Sequence, residues 1–304
     1  MVNVYSAYGL TIQANMACPE FPLHPHPPRE ADVTIRLLAE VPPSLCQQEG
    51  ACEMLPGQFR LEIPEVARYS VEEGKRILIE PFRGAAPDRV RLFMMGFTIG
   101  ALLYQRGLFP LHGSAVETEF GAMLFVGRSG SGKSTLAAEF HRRGYRPLSD
   151  EISAIQQTPQ GLRVVPAWSH FRLCADAYDR LGSPFATRFD VDKFVVPMGD
   201  RYCPDPVPLK AIHILSSQDA PAPRFEVLRG LDRVRSLLEN LYRPQFLKAQ
   251  CTQRDVMQMA GTIAKQVIVA VVTRRRDETT TADLVRFLES AWAEFPELDL
   301  PEKN

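Results

Sequence analysis

The chain has 304 residues, 45% of them hydrophobic, and a formal net charge of −1 at pH 7. That length supports two domains, or one large domain with a smaller partner. The near-neutral charge removes the electrostatic case for a nucleic-acid binder, which is usually distinctly basic. Residues 1–85 alternate short strand-like runs, at 4–12, 31–37, 58–63, 69–71 and 76–79, with proline-rich turns. This reads as a small N-terminal β-rich domain. Four prolines within 22–28 predict an extended linker or exposed loop there. His24 and His26 lie within it and read as solvated loop residues, because two histidines without a third ligand make a poor metal site. Six cysteines (Cys18, Cys46, Cys52, Cys174, Cys203, Cys251) are scattered without a C-x-x-C pair, the pattern of reduced thiols.

From residue 86 the pattern lengthens, and 86–304 is expected to form one catalytic domain. A helix is predicted over 90–106. Its apolar stretch, 92–104, lies between Arg91 and Arg106 and is too short to span a bilayer, so it reads as a helix buried beneath a nucleotide domain. Strands are predicted at 112–117, 121–126, 148–156, 209–215 and 266–273, and helices at 133–143, 236–242 and 281–295. The first residues are strand-like, without a basic start before an apolar core, so no signal peptide is expected and the protein reads as cytoplasmic, with no membrane and no nucleic-acid partner.

The most informative segment is Gly127-Arg128-Ser129-Gly130-Ser131-Gly132-Lys133-Ser134, a complete G-x-x-x-x-G-K-S (Walker A) sequence between an apolar run and a good helix start. Glycines there let backbone N–H groups converge on phosphate oxygens, and the helix N-terminus adds a favourable dipole. Lys133 is expected to neutralise the β- and γ-phosphates, and the Ser134 hydroxyl to hold Mg²⁺, with Thr135 completing the binding set. The expected cofactors are therefore ATP and Mg²⁺. Downstream, Arg143-Gly144 closes the helix. Asp150-Glu151 follow soon after and would bring carboxylates back beside the phosphates.

His112-Gly113 before the loop, Gly132-Lys133-Ser134 within it, Arg143-Gly144 after it and then Asp150-Glu151 form an order that resembles the HPr serine kinase family. The likeness spans about residues 108–175 and continues more faintly towards 275. It implies an α/β fold with an HPr kinase/phosphoenolpyruvate carboxykinase-like P-loop core. The chain departs from that family in its N-terminal region and in two motifs. Glu151 stands where the bifunctional enzymes carry Asp. Their Glu-Val-Arg-Gly-Leu-Gly segment has no counterpart, since Leu228-Arg229-Gly230-Leu231 lies too far downstream. The opening Val4-Tyr5-Ser6-Ala7-Tyr8-Gly9-Leu10-Thr11-Ile12 resembles the start of lasso peptide precursor kinases, which phosphorylate the C-terminal residue of a ribosomal precursor peptide.

The resemblance implies a kinase acting on a serine-type hydroxyl. Asp150 is the expected base, with His112 facing the same site. Ser134, Asp150 and Glu151 are the expected metal ligands, and a homo-oligomer is plausible by the same likeness. Arg172 and Lys193 are candidates for the substrate side, with a surface ion pair and a loop decoration as their plainer readings. Arg274-Arg275-Arg276 reads as a solvated strand end, with a phosphate or carboxylate contact as the alternative. The acceptor is expected to be a peptide, partly held by strand addition to the N-terminal domain, or a small-molecule hydroxyl. An ATP-gated binding module is the reading from a different class.

Overall fold

The structure is a computed structural model that describes residues 2–42, 52–181, 187–190, 193–218, 222–247, 253–275 and 280–294. Residues 4–12, expected as one strand, form a hairpin instead. Strands β1 (Asn3–Ala7) and β2 (Leu10–Ala14) pair antiparallel around Tyr8-Gly9, whose φ values of 57° and 70° are both positive. Positive φ at both central residues is the tight turn that matches strand twist. Five more strands, β3 (Val33–Leu37), β4 (Cys52–Leu55), β5 (Gln58–Ile63), β6 (Ala67–Glu72) and β7 (Arg76–Pro81), complete a sheet ordered β1-β2-β3-β7-β6-β5-β4. Alternation assigns its faces: Ala67, Tyr69, Val71, Ile77 and Ile79 are buried, while Arg68 and Arg76 face water. The proline-rich stretch is partly built into this sheet. Ser6 N–H donates to the Pro22 carbonyl and His24 N–H to that of Val4, both at 2.9 Å.

The chain divides into two compact units, Met1–Pro110 with Arg243–Val256, and Leu111–Tyr242 with Met257–Asn304. The first boundary falls later than the expected residue 85, because the helical stretch belongs to the first unit. Helix α1 (Pro87–Phe93), a π-helical turn (Met94–Thr98) and helix α2 (Ile99–Gln105) follow one another directly. They are tied to the seven-stranded sheet. The Tyr69 hydroxyl donates to the Val90 carbonyl at 3.0 Å. The Gln105 side chain accepts from Gly74 N–H at 2.6 Å and donates to the Val71 carbonyl at 3.3 Å. Phe246 closes this core, its ring 4.9 Å from that of Phe59.

The second unit is built on an eight-stranded mixed sheet of β8 (Phe109–Thr118), β9 (Gly121–Val126), β10 (Arg146–Ser149), β11 (Ile152–Thr158), β12 (Gly161–Val165), β16 (Val207–Gln218), β17 (Arg224–Val227) and β18 (Ile268–Arg275). β9, β16 and β18 run parallel, with β16 between the other two. A separate sheet of β13 (His170–Cys174), β14 (Thr187–Asp190) and β15 (Lys193–Pro197) has the order β13-β15-β14. Among the described residues the remaining α-helices are α3 (Lys133–Arg142), α4 (Ala175–Leu181), α5 (Leu231–Glu239), α6 (Gln253–Gln266) and α7 (Thr281–Ala293). Among the described residues no helix is long and apolar enough to cross a membrane.

Helix α7 opens with a capping box in which Thr280 and Asp283 satisfy each other's backbone N–H groups. Its Trp292 stacks on Phe140 of α3 at 5.1 Å, and Phe140 stacks in turn on Phe125 of β9 at 5.4 Å. Beneath this stack lies His213, fully buried, whose Nε2 accepts the Trp292 indole N–H at 3.0 Å. Burial pushes the His213 pKa down to about 3.

The folded chain therefore keeps His213 neutral while the unfolded chain protonates it below about 6.5. Its stabilising contribution is complete above that pH and declines as pH falls towards 3, by up to ~1.4 kcal/mol per unit. Urea unfolding at pH 7 and pH 5 should show a loss of stability that His213→Gln, which keeps an acceptor for Trp292, reduces by ~2 kcal/mol. An unchanged pH dependence in the variant would contradict this account.

Candidate active site

The loop between β9 and α3 carries three glycines in backbone regions that other residues rarely adopt: Gly127 at φ 142°, Gly130 at 79° and Gly132 at 92°. At Gly127 there is also no room for a side chain, since a Cβ would lie 2.7 Å from the Leu215 carbonyl of the adjacent strand β16. Gly132 occupies the N-cap of α3. Lys133, the first helical residue, turns back into the loop. Its ammonium donates to the carbonyls of Gly127 and Arg128, each at 2.9 Å, and the residue is only 6% exposed. The loop is thus folded around a cation at the C-terminal ends of parallel strands, the usual ligand-binding end of such sheets. The Arg128, Ser129 and Gly130 positions are exposed, and Ser131, Ser134 and Thr135 are half-buried.

The acidic step interrupts the strand expected at 148–156. β10 stops at Ser149 and β11 starts at Ile152. Between them Ile152 N–H donates to the Asp150 carbonyl at 2.8 Å, closing a three-residue turn with Glu151 at its centre, φ 67°. A γ-turn of positive φ is rare and strained. The turn directs Asp150 inward, where it has no solvent exposure. One carboxylate oxygen accepts from Ser114 Oγ at 2.5 Å, and the other accepts from the backbone N–H of Arg172 at 2.7 Å. The Ser134 hydroxyl is also hydrogen-bonded to it. Burial pushes the Asp150 pKa up and the Glu151 charge adds to that, while its three donors pull it down. Trp168 secures the backbone here, its indole N–H donating to the Asp150 carbonyl at 2.8 Å.

His112 reads the same turn from the other side. Its Nδ1 lies 3.0 Å from the Glu151 carbonyl. A carbonyl only accepts, so Nδ1 carries the proton, and in the neutral ring Nε2 is left as an acceptor. Burial, then the charge of Lys133, lower the His112 pKa below its ordinary value. Glu151 and Asp150 partly oppose them. Arg172 Nη1 meets Glu151 Oε1 at 3.6 Å in an ion pair that is mostly buried on both sides.

A cavity of about 230 Å³ is lined by His112, Gly132, Lys133, Ser134, Thr135, Glu151, Arg172 and Cys174, together with Ser129, Gly130 and Leu173. It brings together most of the residues singled out in the sequence. Asp150 is not part of its wall; it stands behind Ser134. Lys193 opens β15 opposite Cys174 in the ladder, and its side chain lies outside the described residues. Arg143 is elsewhere: it bonds Glu289 and the Ala282 carbonyl, anchoring α3 to α7. Ser114 and Trp168 were not anticipated. Ser114 was within reach, since a strand places residues two apart on one face and His112 was already assigned there. Among the described residues no three His, Cys, Asp or Glu side chains cluster as a metal site.

No family model matches the chain, and no curated protein matches it. Among solved structures, the chain is similar to the Hpr(Ser) kinase/phosphatase from Coxiella burnetii. Identity is 12% and the TM-score 0.31, over 62% of this chain and 94% of that one. A likeness at that level carries no argument about the chain's activity.

The strained turn provides a test of how the site is built. A glycine at 151 accepts φ 67° without the Cβ penalty, which is about 1–2 kcal/mol per residue. Glu151→Gly should therefore unfold at a higher temperature than Glu151→Ala, both having lost the same carboxylate. Equal melting temperatures would mean that the turn relaxes in the variants.

Proposed function

We propose that this chain is an ATP-dependent phosphotransferase acting on a hydroxyl. One observation carries the reading: a buried lysine held inside a glycine loop, beside a serine hydroxyl hydrogen-bonded to a fully buried aspartate, with the lysine and the serine on the wall of one cavity. Phosphoryl transfer needs charge neutralisation, positioning and a group to take the hydroxyl proton. Lys133 and the loop N–H groups would hold the triphosphate, whose oxygens compete with the Gly127 and Arg128 carbonyls for the ammonium.

Mg²⁺ usually takes one or two carboxylates, with waters and phosphates filling its remaining positions. Ser134 and Glu151, both on the cavity wall, offer oxygen donors that fit that habit, with Asp150 behind them holding the Ser134 hydroxyl. When bound there, Mg²⁺ would neutralise charge on the phosphates.

The acceptor oxygen forms its bond to the γ-phosphorus as the bond to the β–γ bridging oxygen breaks, and the nucleoside diphosphate leaves. Two groups compete for the hydroxyl proton. Asp150, the expectation from sequence, has a raised pKa suited to a base but is walled off by its three donors. His112 lines the cavity as a neutral ring with Nε2 available, and the geometry favours it. On this reading Asp150 keeps Ser134 and the Arg172 backbone in place. Its lowered pKa keeps His112 unprotonated below the usual 6.5, so activity should persist into mildly acid solution and then fall. General-base catalysis is worth roughly 10²–10⁴-fold. His112→Gln should cost that much and abolish the acid limb of the kcat/KM profile; an unchanged limb would return the role to Asp150.

For the acceptor, we favour a peptide with its hydroxyl near the C-terminus, as in a lasso precursor, its carboxylate meeting Arg172. The Arg172–Glu151 pair on the cavity wall supports this, because a guanidinium and a carboxylate suit bidentate recognition. Incubation of a candidate precursor with ATP and Mg²⁺, read by mass spectrometry, should add one phosphate to the terminal residue. Lys133→Ala should abolish turnover and leave the melting temperature near that of the parent. Turnover retained in that variant would overturn the loop assignment. Phosphate only on free metabolites, or ATP binding without any phosphorylated product, would replace the peptide reading with the small-molecule kinase or the binding module.

A further inference from the structure

Of the three arginines expected to end the last core strand in solvent, Arg276 lies outside the described residues and Arg274 does not simply extend into solvent. β18 lies beside β16 in parallel register, with Arg274 opposite Ser217, and β16 lies beside β9 in the same direction. The three strands therefore end at one edge of the sheet, where the glycine loop begins. There the Arg274 guanidinium sits over Gly132: a Cβ on that glycine would be 3.7 Å from both Nη1 and Nη2 and 3.8 Å from Cζ. Arg274 is half-buried, and among the described residues no carboxylate or carbonyl pairs with it. The missing side chain at position 132 leaves nothing between this guanidinium and the first turn of α3.

An arginine charge held against a loop that already encloses Lys133 is electrostatically unfavourable unless an anion joins them. The resting contacts of Lys133 include two carbonyls, which help to offset that cation. Neither a carbonyl nor an acid offsets the second among the described residues. The position also differs from that of Arg172. Arg172 belongs to the cavity wall with His112 and Glu151, on the side of β8 and β13, whereas Arg274 is absent from that wall and approaches from β18. Two arginines thus flank the loop from opposite strands.

We infer that Arg274 is a nucleotide-binding residue. It contacts phosphate oxygens of the donor from the flank away from His112 and Asp150, and it sets donor affinity rather than the rate of transfer. The ligand class is a nucleoside di- or triphosphate. This rests on the loop reading proposed above. Strand alternation supplies an internal control, since Arg275 projects from the opposite face of β18.

Isothermal titration of the full chain with ADP and with ATP, Arg274→Gln beside Arg275→Gln and Arg274→Lys, tests the assignment. Loss of a charge-assisted phosphate contact should weaken binding by about 10–100-fold in Arg274→Gln. Arg274→Lys, which keeps the charge but not the fork, should recover part of it, and Arg275→Gln should bind as the parent does. With any phosphorylatable acceptor, KM for ATP should rise while kcat stays within about twofold. Unchanged affinity in both Arg274 variants overturns the inference, as does a loss confined to kcat. Lys133→Ala, titrated in parallel, separates the two readings. Weak binding there with normal binding in the Arg274 variants defeats only the arginine. Normal binding in all of them defeats the loop reading itself.

Discussion

A carboxylate buried without water is costly unless donors surround it, and the second unit of this chain is arranged around meeting that cost at Asp150. The donors come from three separate elements: the Ser114 hydroxyl on β8, the Arg172 backbone on β13 and the Ser134 hydroxyl at the start of α3. Each must be held in place for the others to be satisfied. A charge buried in this way acts as a fastener between strand, small sheet and loop helix. It also fixes where the loop points, because the helix carrying Ser134 begins at the loop's own lysine.

Placing that carboxylate inward has a consequence one residue later. The chain turns sharply between Asp150 and Ile152, with Glu151 at positive φ, so that Asp150 lies inside and Glu151 stands on the cavity wall. The strain is then used, since the turned-out carbonyl of Glu151 accepts from Gly113 N–H and from the imidazole of His112. The same peptide group that bends the strand therefore selects the histidine tautomer. Backbone geometry, proton position and cavity chemistry are coupled through a single residue.

Much of this was legible in the sequence because it rests on local rules. Gly127, Gly130 and Gly132 mark a loop whose conformation only glycine tolerates comfortably, and the apolar run 121–126 is a buried strand as its composition implies. Helix α7 was expected over 281–295, and the structure starts it at Thr281 behind a Thr280 cap. What escaped depended on contacts between distant segments. The break at Asp150-Glu151 has no glycine or proline to signal it, since the cause is tertiary. The hairpin at Tyr8-Gly9 was hidden because a tyrosine takes the left-handed position there. The helical stretch after residue 86 was expected in the catalytic domain because an apolar helix does not announce which sheet it covers, and long-range contacts such as the Tyr69 and Gln105 hydrogen bonds decide it. Trp168 gave no signal at all, because its role is one hydrogen bond to a backbone carbonyl.

The chain has two tryptophans, and the fold gives each a different post. Trp168 is bonded to the carbonyl of Asp150, next to the cavity, whereas Trp292 lies in the aromatic stack with Phe140 and shares its N–H with His213. Indole emission responds to the polarity and motion of its surroundings. Each ring is therefore a built-in optical probe: one watches the acidic turn as a ligand arrives, the other watches the core as it comes apart. Replacing either by phenylalanine isolates the signal of the other, so occupancy and unfolding are separable in one unlabelled protein.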